Sequence, residues 1–188
     1  TSTIVRALRE GEQGLSHRLK LDFVDGARST RGIPYAMSVD FVAINPREND
    51  RCGVRLSTRW ASTGDQLRAQ TTEGDLVQLR VTVENVAAAP IGMVVARVGI
   101  PAGLEPRMDQ LRELREAGAV AFVEIRKGEA ALYWRGFDKG QRRDVVLDLE
   151  AAVPGTFTAK SSSAYLYYTD EYKRWERGLV VDVAPRVE

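Results

Sequence analysis

Cysteine and histidine are almost missing from these 188 residues: the chain has one of each, Cys52 and His17. A single thiol excludes an intrachain disulfide, so any fold must be held by its own core. His17 stands between Ser16 and Arg18 with no Cys, Asp or Glu at ligand spacing, which argues against a zinc centre. It also lies far upstream of Cys52, which therefore reads as a buried or loop thiol, not a nucleophile. There is no glycine-rich phosphate loop and no Gly-x-Ser-x-Gly elbow. No apolar run approaches the roughly 20 residues that span a bilayer. Charge of either sign is not in excess, with 27 Lys and Arg against 26 Asp and Glu. A nucleic-acid or anionic-membrane partner is thus not expected from bulk charge.

What is present is ordinary for a folded chain. Hydrophobic residues make up 44% and charged residues 28%, which excludes disorder by composition over most of the length. A chain of this size buries about two-thirds of its unfolded surface and supports one large domain, or one domain with an appendage. The opening Thr-Ser-Thr has no Met, basic segment or apolar signal core. The chain therefore reads as an internal or C-terminal excerpt of a longer protein, any signal peptide having been lost.

Alternation of apolar and polar residues dominates. It is clearest at 19–23, 76–84, 130–134 and 144–149, and recurs at 35–43, 54–60, 93–100, 120–125, 155–159, 164–168 and 179–183. These closely spaced candidates predict a mostly β protein, a two-sheet antiparallel β-sandwich. Gly74, Gly128 and Gly140 sit between alternating runs and are expected to reverse the chain with positive φ. One segment departs from the pattern. Met108, Leu111, Leu114 and Arg115 fall at helical spacing, with Pro106 at a first-turn position and Gly118 as a stop. A single inserted α-helix is expected near 107–117. Its outer face would carry Arg107, Asp109, Gln110, Arg112, Glu113 and Glu116. Residues 25–32 read as a loop or linker, so the main domain is expected to begin near Ile33.

Few residues invite chemistry. Gly11-Glu12-Gln13 matches part of the Cys-Gly-Glu-Gln motif of thioester proteins, but Glu10 stands where the thiol must be, so a turn is the reading. The carboxylate pairs Asp170 with Glu171 and Glu48 with Asp50 read as solvated loop charge. Thr169-Asp170-Glu171 would need several more oxygen ligands to hold calcium, which leaves Asp170 and Glu171 as weak candidates and no metal site assigned. Tyr165, Leu166, Tyr167 and Tyr168 would alternate between the faces of a strand, followed by Tyr172 and Trp175. They serve either as core and cover or as an amphipathic contact surface. The charged helix is either a solvated face or a docking element.

Three segments in order carry a family resemblance. Pro34-Tyr35-Ala36-Met37-Ser38-Val39 resembles the opening of the receptor-binding domain of the α2-macroglobulin family. The run from Val98-Gly99-Ile100-Pro101 through Gly103-Leu104-Glu105-Pro106 resembles its strand-to-helix junction, and Tyr165 to Glu171 its Tyr-Tyr-x-x-Asp-Glu strand and turn. The wording is closest to bacterial-type homologues. The resemblance covers 33–188 as the receptor-binding-type sandwich, with 1–32 as the closing strands or tail of a preceding CUB-like domain. It implies a non-catalytic, cofactor-free binding or structural module of an extracellular or periplasmic protein. That parent would trap proteases through its own upstream regions or otherwise serve defence. Implied partners are a protein or neighbouring domains of the parent, met at Glu105, Arg107, Asp109, Arg112 and Glu113. Vertebrate members engage an endocytic receptor through two lysines around the helix start, and the matching positions here are Glu105 and Asp109. Acids there would repel an acidic receptor module, so that activity is not expected. The alternative is a cell-surface, adhesin-like sandwich scaffold sharing only the architecture. An enzyme would require a carboxylate pair converging in a groove.

Overall fold

A computed structural model describes residues 49–61 and 67–186, all within the compact unit Val42–Glu188. The expected strands at 19–23 and 35–43, the linker, the Gly11-Glu12-Gln13 string, His17 and a start near Ile33 lie outside the described residues.

Among the described residues the chain runs β1 (Val54–Trp60), β2 (Arg68–Thr72), β3 (Leu76–Asn85), β4 (Val94–Gly99), β5 (Leu104–Pro106) and α1 (Met108–Glu116). It continues with β6 (Phe122–Arg126), β7 (Glu129–Trp134), β8 (Arg142–Ala151), β9 (Gly155–Thr158), β10 (Ser162–Leu166), β11 (Thr169–Glu176) and β12 (Val180–Ala184). Every alternating run expected within the described residues contains a strand, although the one at 164–168 ends at Leu166. Gly74, Gly128 and Gly140 have φ of 84°, 74° and 69°, the left-handed turn geometry their positions called for.

The expected sandwich is formed by a four-stranded sheet, in the order β1-β3-β8-β5, and a five-stranded sheet, β11-β10-β4-β7-β6, both antiparallel throughout. Period-two patterning builds their shared core. Val77, Leu79, Val81 and Val83 of β3 point inward beside Val145, Leu147 and Leu149 of β8, and Val94, Ala96 and Val98 of β4 join Leu132 and Trp134 of β7 in the same buried cluster. Each large side chain removed from water contributes about 1.5–3 kcal/mol. The five-stranded sheet is also dry in the middle of its outer face. Val95 is 1% exposed there, flanked by its register partners Tyr133 and Tyr165. Beside it Arg97 makes a forked ion pair with Glu129 at 2.7–3.0 Å. Burial raises the phenol pKa of both Tyr133 and Tyr165.

A third sheet adds to the two expected. β12 lies between β2 and β9, antiparallel to β9 but parallel to β2. The Trp60 indole ties this sheet to β1 by donating to the Val180 carbonyl at 3.0 Å. At its exposed surface Asp182 accepts from Arg68 and from Thr156, and the Arg68 hydrogen bond chiefly lowers its carboxyl pKa.

One buried polar side chain organises the loops at one end. Asn85, 1% exposed, donates from Nδ2 to the carbonyls of Ala89 (3.0 Å), Asp138 (2.9 Å) and Phe137 (3.4 Å), while its Oδ1 accepts from the Ala87 amide at 2.8 Å. A single side chain thereby joins backbone groups of two separate connections, adding to the bonds that the Phe137 and Asp138 carbonyls already accept from the amides of Ile91 and Gln141.

Candidate functional site

The helix sits where the two large sheets leave a side open, touching β6 of one and β8 of the other. Pro106 is the last residue of β5, two positions before the first helical residue Met108, and not in the first turn as expected. Arg107 is the N-cap, with φ −75° and ψ 108°. The sheet fixes where the chain enters the helix, because the Arg107 amide donates to the Asp148 carbonyl of β8 at 3.0 Å. Gly118, φ 71°, ends the helix and donates to the Arg115 carbonyl, as expected of a residue free to turn left-handed.

Leu111 is the helix's one fully buried side chain and Leu114 packs partly against the core. Gln110, expected on the charged outer face, instead faces the sheet. Its amide donates to the Val146 carbonyl at 2.8 Å and accepts from the Asp148 amide at 3.4 Å. An amide carries both a donor and an acceptor, which suits it to the backbone of one strand. At the far end the Trp134 indole donates to the Ala119 carbonyl at 2.8 Å.

The expected contact residues do not form one patch. Glu105 lies on the edge strand β5, exposed, opposite Glu150 of β8. Arg107 is bonded to Asp109, which holds the Asp109 carboxyl below the usual carboxylate range. An acid in the first turn also suits the positive end of the helix dipole. Helical spacing then divides the charges. Asp109, Glu113 and Glu116 share one exposed side, whereas Met108, Arg112 and Arg115 share another. The second side borders a groove of about 170 Å³ between helix and sheet, walled by Val123 and Ile125 of β6 and floored by Leu111. Arg112 is thus in the groove and Glu113 is not. Sequence reasoning missed the β6 wall, where Ile125 is 36% exposed, with Met108 at 61% across from it. The alternation at 120–125 was the available signal, but a strand's place at a sheet edge is not written in it.

The other candidates resolve differently. Asp170 and Glu171 are exposed on β11, not in a loop, and Asp170 lies 3.8 Å from the Lys173 ammonium. Among the described residues no group of three or more His, Cys, Asp or Glu gathers to hold a metal ion. Tyr167 and Tyr168 do not continue the strand alternation. They form the turn between β10 and β11, where Leu166 pairs with Thr169, and Tyr168 is 82% exposed. Cys52 is the buried thiol expected, its Sγ 3.7 Å from the Ala164 carbonyl. No helix among the described residues is long and apolar enough to cross a membrane.

Comparison with known proteins gives these features a family. The model of the bacterial alpha-2-macroglobulin MG10 domain matches residues 53–171. Native alpha-2-macroglobulin from Escherichia coli, solved from domain MG7 to the C-terminus, is similar over 74% of this chain and 25% of its own, with TM-score 0.56 and 16% identity. Salmonella alpha-2-macroglobulin reacted with methylamine is similar over 75% of this chain and 10% of its own, with TM-score 0.57 and 18% identity. Trypsin-activated E. coli alpha-2-macroglobulin gives 75% and 11%, TM-score 0.58 and 15% identity. The chain therefore spans a quarter or less of the structures it resembles. No curated protein matches. The resemblance read from the ordered motifs, bacterial form included, is borne out: this chain belongs to the bacterial alpha-2-macroglobulin MG10 domain family.

Proposed function

We propose that this chain is a non-catalytic binding and structural module, toward the C-terminal end of a larger α2-macroglobulin-like protein of the cell envelope or extracellular space. That parent traps proteases or otherwise serves defence, and the module's own partners are neighbouring domains of the same parent or another protein. The observation that carries the reading is the MG10 match over 53–171 in a chain that spans a quarter or less of its structural relatives. A module of that kind works by its surface, and the charged segment that runs from Glu105 on β5 into the helix Met108–Glu116 is where this one departs most from a plain sandwich. In this reading residues 1–32 close a preceding β domain and 33–188 form the module.

The test uses the full-length parent and an active endopeptidase. Digestion of a large protein substrate and of a small chromogenic peptide are followed together. A trap blocks the first and spares the second, because the small substrate still reaches an enclosed active site. Equal, undiminished rates for both substrates would sink the proposal. So would catalytic turnover by the chain alone.

A further inference from the structure

We propose that the groove between α1 and β6 receives an extended, acidic and apolar polypeptide segment, added to β6 as a further strand. This deepens the reading of the chain as a binding module by giving its partner a chemistry. Three observations converge. First, β6 is the outer strand of the five-stranded sheet, hydrogen-bonded only to β7 among the described strands, so its other edge can template a strand. Second, the side chains bordering that edge are apolar and uncovered: Met108 is 61% exposed and Ile125 36%, with Leu111 beneath them. A wet apolar strip of this kind is where an added strand would bury alternate side chains.

Third, the charge on the groove is of one sign. Arg112 and Arg115 form its helical rim, and neither has an ion-pair or hydrogen-bond partner among the described residues. By contrast the arginines beside it are taken: Arg107 is bonded to Asp109, and Arg126 to Glu124 at 2.9–3.0 Å. The helix's own acids, Asp109, Glu113 and Glu116, fall on the side away from the groove. Two free guanidiniums over an apolar strip therefore select carboxylates at the ends of an apolar strand, since guanidinium binds carboxylate through paired donors. A basic or neutral segment finds no complement there.

The experiment measures fluorescence anisotropy of a labelled peptide of alternating valine and threonine flanked by glutamates, titrated with the full 188-residue chain. The matched probes carry lysines in place of glutamates, or N-methyl groups on alternate backbone amides in either register. The glutamate peptide should bind, the lysine peptide about tenfold more weakly, and one N-methylated register should lose binding. Arg112→Glu with Arg115→Glu should reverse the preference in favour of lysine, which a merely unfolded variant would not do. Ile125→Ser, which removes apolar surface without adding charge, should weaken the glutamate peptide while circular dichroism stays native. Four results would each overturn the proposal: no binding by any peptide, equal binding of both charge types, tolerance of N-methylation in both registers, or self-association through β6 that the glutamate peptide does not compete. None of them bears on whether the full-length parent traps a protease.

Discussion

Replacing Asn85 tests whether one buried amide holds two loops together. Its Nδ2 and Oδ1 pair with carbonyls of Ala89, Phe137 and Asp138 and with the amide of Ala87. In Asn85→Ala the Ala87 amide and the Ala89 carbonyl lose their partner, while the Phe137 and Asp138 carbonyls keep the amides of Ile91 and Gln141. A buried polar group left unmade costs about 1–3 kcal/mol. Ala89 is exposed and its carbonyl regains water, so the Ala87 amide carries most of the cost. The expected loss is about 2 kcal/mol, large against a domain stability of roughly 5–15 kcal/mol. Urea unfolding followed by tryptophan fluorescence measures it at neutral pH. Asn85→Asp sharpens the test because volume is kept and only the donor changes. An ionised carboxylate would face three carbonyl oxygens, which raises its folded pKa. A group with a raised folded pKa contributes its stability below the unfolded pKa, about 3.9 for Asp, and loses it as pH rises. The variant should therefore be close to the parent sequence near pH 4 and far weaker at pH 7. A cost below about 1 kcal/mol for Asn85→Ala, or a pH-independent penalty for Asn85→Asp, refutes the reasoning.

Leu111→Ala should remove about 3 kcal/mol if α1 stays docked. If the helix lifts instead, hydrogen exchange will report lost protection confined to 108–119. Gly99→Ala should be among the worst substitutions available, because the added Cβ would lie 2.0 Å from the Lys160 carbonyl oxygen with backbone on both sides. A melting temperature within a few degrees of the parent's would contradict this. Asp182, with its carboxyl held down by Arg68 and Thr156, stabilises the fold above the ordinary carboxylate range and loses that contribution as pH falls through its lowered value. Asp182→Asn should accordingly flatten the acid limb of a melting-temperature profile below about pH 4. Tyr133 and Tyr165, whose pKa values burial raises, act in the opposite limb: stability should fall as pH climbs past about 10, and their ultraviolet titration should lag behind that of free tyrosine.

Most strands that were legible in the sequence have one wet face, while β4 and β7, dry on both, were legible as apolar runs. In β1 the alternation of Val54, Leu56 and Trp60 with Arg55 and Arg59 is the pleat itself, and its bounds were readable to the residue. Three strands were not. β2, Arg-Ala-Gln-Thr-Thr, buries only Ala69 and is held by backbone pairing to β12, which leaves no apolar period to detect. β5 is the brief junction before the helix, and β11 is a polar edge strand whose Asp170 and Glu171 read as a loop. The site was legible in the same uneven way. Helical spacing found α1, but not that Gln110 turns inward or that Arg112 and Glu113 part company, because both depend on which side of the helix meets the sheet. The groove needed Ile125 and Met108, far apart in sequence, to be seen as neighbours.

The parallel pair of β2 and β12 also sets an order of events during synthesis. Its register matches Arg68 with Val180, so β2 leaves the ribosome long before its partner exists. The sandwich sheets do not share that delay to the same degree, since β3 meets β8 and β4 meets β7 across shorter stretches. A nascent chain would thus carry one sandwich sheet and β4, β7 and β6 of the other while β10, β11 and β12 are still to come, its Trp60 indole still without the Val180 carbonyl. Contacts of long sequence separation form late and slowly. The last strand then works as a latch, and quality control that samples the chain before it closes would see a protein already folded in most respects but not yet finished.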